Sequence, residues 1–106
     1  MSRMDLPDHY VRLRETYKEY MDALAALGEA AARQGPLDAK TGHLVQLAAG
    51  VAIRSEGAVH SHARRALQAG VSAEEVKHAV IMLTSTIGFP NVAAALSWVD
   101  DILEDR

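Results

Sequence analysis

The sequence predicts an all-α fold of about five helices. Apolar residues recur at spacings of three and four in successive stretches, and no segment alternates apolar and polar residues between turn signals. Breakers at Gly35-Pro36, Gly70 and Gly88-Phe89-Pro90 separate those stretches. With 106 residues, 49% hydrophobic and 24% charged, the chain has the size and balance of one globular domain.

Pro7 and Asp8 open the first helix. Tyr10, Leu13, Tyr17, Met21, Leu24 and Leu27 form its apolar stripe, Arg12, Glu15, Lys18 and Glu19 occupy the other side, and it runs to about Gln34. Asp38 caps the second helix, whose apolar face from Leu44 to Ile53 is wide enough to predict burial of most of its circumference. Ser55 is positioned to cap the third, with Glu56 in a first turn where negative charge suits the helix dipole. That helix ends at Gly70, a residue able to take the left-handed conformation. Ser72-Ala73-Glu74-Glu75 reads as a capping box for the fourth, which extends through Val76–Leu83 to Thr84, Ser85 and Thr86. Pro90 suits the first turn of the fifth, carried by Val92, Ala95, Leu96, Trp98, Val99 and Ile102 before an acidic tail.

Composition narrows the function. Only 5% of residues are aromatic, so the core is built from Ala, Leu, Val and Ile. Two helices are apolar nearly all round, more than so small a chain covers alone, which predicts an obligate homo-oligomer. A net charge of −3 argues against nucleic acid, and Arg64-Arg65 reads as a solvated helix face. With no cysteine there are no disulfides, thiolate metal sites or cysteine nucleophiles. No apolar run reaches the roughly 20 residues of a membrane span. The opening Met1-Ser2-Arg3-Met4-Asp5 lacks a signal pattern, so the expected location is the cytoplasm.

From Leu37 to Trp98 the phrases LDAKT, LVQLAAGVAIRS, HSHARRALQAG, VSAEEVKHAV and IGFPNVAAAL follow in an order and spacing that resemble the carboxymuconolactone decarboxylase family, particularly its AhpD-like members. The resemblance implies an AhpD-like helical bundle, with residues 1–36 as the amino-terminal helix and 37–106 as the family core. It also implies self-association, as a trimer or hexamer. AhpD-like proteins carry Cys, two residues, Cys, three residues, His, with a Glu twelve residues before the first Cys. On this chain the Cys positions fall at Ser55 and Ala58, the His at His62 and the Glu at His43. Thiol peroxidase chemistry, which needs an attacking thiolate and a resolving thiol, is therefore excluded.

At about 100° per residue, Ser55, Ala58 and His62 share one helix face. His62 is the candidate general acid or base, having an unperturbed pKa of about 6.5, and Ser55 is the second candidate catalytic group. His43, Glu56, His60 and Phe89 are candidate pocket or accessory residues. His60 lies about 160° from His62 around the helix, so Glu56 and His60, at i and i+4, read as a structural pair. Two such ligands are too few for a metal ion, and neither metal nor cofactor is expected. His78 and His9 read as structural, and Trp98 as core. Two functions follow. One is an acid–base lyase or isomerase acting on a small carboxylated lactone or keto acid, with Arg54 or Arg64 available to hold the carboxylate. The other is a non-catalytic oligomeric scaffold that binds a small ligand.

Overall fold

The computed structural model describes residues 3–104, so Met1 and Ser2 of the opening stretch and Asp105 of the acidic tail lie outside it. Among the described residues there are seven helices and no strand: α1 (Asp8–Thr16), α2 (Lys18–Ala32), α3 (Ala39–Ala52), α4 (Glu56–Gln68), α5 (Ala73–Ile81), α6 (Thr84–Ile87) and α7 (Phe89–Glu104). None is long and apolar enough to cross a membrane.

The local signals act as their chemistry requires. The Asp38 carboxylate accepts from the Thr41 amide at 2.8 Å. Ser72 and Glu75 exchange side-chain and backbone hydrogen bonds in a complete capping box. Gly70 ends α4 with φ 99°, and there the Val71 amide reaches back to the Ala66 carbonyl.

Seven helices stand where periodicity predicts five, because two breaks preserve the apolar stripe. Tyr17, at φ −121° and ψ 58°, separates α1 from α2. Its amide still donates to the Leu13 carbonyl at 2.8 Å and its carbonyl still accepts from Met21 at 2.9 Å. The break is a one-residue kink with hydrogen bonds kept on both sides, so the spacing of side chains does not betray it. After Ile81, the Thr84 hydroxyl donates to the Ile81 carbonyl at 2.6 Å. This local side-chain bond competes with the helical ladder and leaves α6 as a single turn.

The core lies between α3, α4, α5 and α7. Leu47, Val59, Val76, Val92, Val99 and Ile102 are almost wholly removed from solvent, and burying each such side chain stabilises the fold by roughly 1.5–3 kcal/mol. Trp98 packs against this cluster. Two expectations of burial fail within the single chain. On α3 only Leu47, Gly50 and Val51 are buried, whereas Val45 and Ile53 are exposed. On α2 only Met21 is buried, and Tyr20, Leu24 and Leu27 face outward. The reason is geometric: α2 leaves the kink at Tyr17 without entering the four-helix core, so beyond Met21 the described residues leave most of its stripe uncovered.

Candidate functional site

The site is built on the α3–α4 pair. At the end of α3, the Ser55 amide donates to the Gly50 carbonyl at 3.0 Å and the Arg54 amide to the Val51 carbonyl at 3.0 Å. This Schellman pattern needs a left-handed residue after the cap, and Arg54 supplies it at φ 58°. The chain then enters α4 directly, with the Ser55 hydroxyl accepting from the Ala58 amide at 3.1 Å. The two helices approach closely where Gly50 faces Ala58. A Cβ on Gly50 would lie 3.0 Å from the Ala58 Cβ.

That approach brings His43 of α3 beside His62 of α4. Their ring centroids are 6.2 Å apart and the planes are tilted by 32°. The Nδ1 atom of each ring is buried without a hydrogen-bond partner among the described residues. Burial pushes the His62 pKa down to about 4, and the positive charges of Arg65, His43 and Arg64 add to the shift. His43 is lowered as well, by burial first and by Arg65 second, with the Gln46 side chain acting the other way. Both imidazoles are therefore neutral at pH 7, each with one N–H and one lone pair. Beside His43, a cleft of about 450 Å³ opens between the end of α2 and the start of α3, walled largely by Ala31, Ala32, Leu37, Gly42 and Gln46.

The geometry sets two partly buried histidines from adjacent helices together on an all-helical frame. The Carboxymuconolactone decarboxylase family model matches residues 18–101. This chain belongs to the carboxymuconolactone decarboxylase family. A solved structure, apo-lpg0406, a carboxymuconolactone decarboxylase family protein from Legionella pneumophila, is similar with a TM-score of 0.77 and 25% identity, over 91% of this chain and 86% of that one. No curated protein matches the chain.

Within this family member the predicted site residues separate into two groups. His43 and His62 come together. Ser55 shares a face with His62, but seven residues of helix put it about 10 Å farther along the axis, and its hydroxyl oxygen is engaged as the α4 cap. His60 points to another neighbour, with its Nε2 2.9 Å from an Asp101 carboxylate oxygen on α7. Glu56 joins that group rather than the His43–His62 pair. Phe89 is 65% exposed at the first position of α7.

Sequence reasoning missed Arg65 and Asp101 and misread Arg64. Arg64 is buried, not solvated. The amino-terminal segment covers it, and its guanidinium donates to the Arg3 carbonyl at 3.5 Å. Arg65 is the cation whose field reaches both His43 and His62. Its spacing of three from His62 on one helix was the available signal. Asp101 is 41 residues from His60 in the chain, and no local pattern announces such a pairing.

Proposed function

We propose that this carboxymuconolactone decarboxylase family member performs acid–base chemistry of the lyase or isomerase type on a small carboxylated lactone or keto acid, without thiol peroxidase activity. The observation that carries the reading is the pair of neutral, partly buried imidazoles brought together on α3 and α4, both within the electrostatic reach of Arg65. Arg65 supplies charge for a substrate carboxylate. A neutral His62 accepts a proton from carbon next to the substrate carbonyl, while a His43 N–H donates to the carbonyl oxygen on which charge develops. The same proton returns to a neighbouring carbon, so an isomerisation balances with no external reagent. The negative charge of the bound acid raises the basicity of His62 toward working pH.

A second reading is favoured by the low pKa of His62, which makes it a weak base in the free chain. Under it, the chain is an oligomeric scaffold that binds the small acid without converting it. One experiment separates the two. Wild-type protein and His62→Ala are incubated with a panel of small keto acids and carboxylated lactones, and products are followed by proton NMR. Catalysis predicts turnover of one class, reduced about 10²–10⁴-fold in the variant. Saturable binding with no turnover by wild type supports the scaffold. Equal turnover by a folded His62→Ala variant removes His62 from the mechanism.

A further inference from the structure

We propose that Glu56, His60 and Asp101 form a binding site for a divalent first-row transition cation, with zinc as its representative, that clasps α4 to α7. One donor atom from each residue lies within 4.8 Å of the other two. The site is independent of the acid–base reading above.

Three features support a cation over a plain ion pair. Glu56 and His60 stand at i and i+4 on α4, the helical spacing that directs two side chains to one point. The third donor comes from a different helix, α7, and is already 2.9 Å from the His60 Nε2. The His60 side chain is only 12% exposed, so its ring is held in place by packing before any ion arrives.

Charge points the same way. Two carboxylates share one imidazole, leaving net negative charge whether or not the ring is protonated. Lys77 pairs with Asp100 at 3.4 Å rather than with Asp101. Among the described residues, neither Glu56 nor Asp101 makes an ion pair with lysine or arginine.

The donor set selects the metal. Calcium takes 6–8 oxygen ligands, far more than this cluster offers. One imidazole and two carboxylates suit zinc and its neighbours, with water completing the shell. Around an ion with bonds of about 2.0–2.2 Å, donors sit about 3–3.5 Å apart. The three donor atoms, within 4.8 Å of one another, need to close by no more than about 1–2 Å to reach that spacing.

The test uses the full chain, stripped with chelator and titrated calorimetrically with zinc chloride. One equivalent per chain is expected to bind saturably, with affinity reduced at least about tenfold in Glu56→Gln and again in Asp101→Asn. Both residues are solvent-accessible enough for the variants to fold, which circular dichroism checks. His43→Gln retains wild-type zinc affinity. A thermal scan supplies the second readout: zinc raises the melting temperature of wild type in a concentration-dependent way but not that of the Glu56→Gln/Asp101→Asn double variant. Absence of saturable binding, zinc affinity surviving in the double variant, or loss of binding in His43→Gln would each overturn the proposal.

Discussion

The imidazoles of His43 and His62 face one another across the α3–α4 interface at 6.2 Å between centroids, and burial holds His62 neutral down to a pH of about 4. The pair consequently makes the fold acid-sensitive. An unfolded chain takes up a proton at His62 near pH 6.5, whereas the native state resists until about pH 4. Stability is full above the higher value, falls as pH drops between the two, and levels below the lower one as far as this group is concerned. Urea midpoints measured across that window are expected to decline in wild type and to decline less in His62→Gln. An NMR titration placing the native His62 pKa near 6.5 would contradict this.

Arg65 depresses both histidines, so Arg65→Gln raises the His62 pKa by removing a repelling charge. If Arg65 also holds the substrate carboxylate, the same variant weakens binding of a small acid by at least about tenfold, the scale of a lost hydrogen bond to a charged group. Arg54→Gln leaves that binding unchanged. NMR titration and calorimetry read the two effects separately.

Gly50 and Gly42 lie on the same helix but meet different surroundings. A Cβ at Gly50 would press on the Ala58 Cβ at 3.0 Å and on its carbonyl carbon at 3.4 Å, while one at Gly42 meets nothing within 4 Å. Gly42→Ala should stabilise by up to about 1 kcal/mol through helix propensity. Gly50→Ala gains the same propensity but suffers overpacking of roughly 1–3 kcal/mol, for a net loss of about 1 kcal/mol. Chemical denaturation of the two variants in parallel should give opposite signs.

Arg54 occupies the left-handed region at φ 58° without a side chain suited to it. A non-glycine residue there is strained by about 1–2 kcal/mol, partly offset by the greater unfolded-state freedom of glycine. Arg54→Gly is thus expected to raise stability by up to about 1 kcal/mol. A melting temperature unchanged or lowered in this variant would show that the arginine side chain makes a compensating contact.

Leu24 and Leu27 on α2 are 49% and 66% exposed, and Tyr20 beside them is 67% exposed. We expect a second copy of the chain to cover this stripe, because burying it is worth about 25 cal/mol per Å² of apolar surface. Replacing both leucines with lysine should shift the species seen by light scattering toward the monomer. A wild-type chain already monomeric at micromolar concentration would refute the assembly.

Much of the fold was legible because caps and breakers act locally. Asp38, Ser55, Ser72 and Gly70 each do in space what their chemistry requires in sequence. The kink at Tyr17 escaped notice because a single residue can change direction while keeping its hydrogen bonds. At the candidate site, the angular separation of His60 from His62 was legible from helical geometry, and His60 indeed meets a different neighbour. What escaped was tertiary. The wide apolar face of α3 did not reveal which side another helix covers, Phe89 gave no sign that it faces outward, and Asp101 reaches His60 only because α7 returns across α4.

The tight turn at Arg54 and Ser55 carries one further consequence. Each residue added to a helix rotates everything after it by about 100°, so the meeting of the two imidazoles is written in the length of this connection as much as in their identities. Inserting or deleting a single residue there would swing His62 away from His43 while leaving every side chain of both helices intact. Sequences that share this pocket should therefore vary freely in the composition of the connection but not in its residue count.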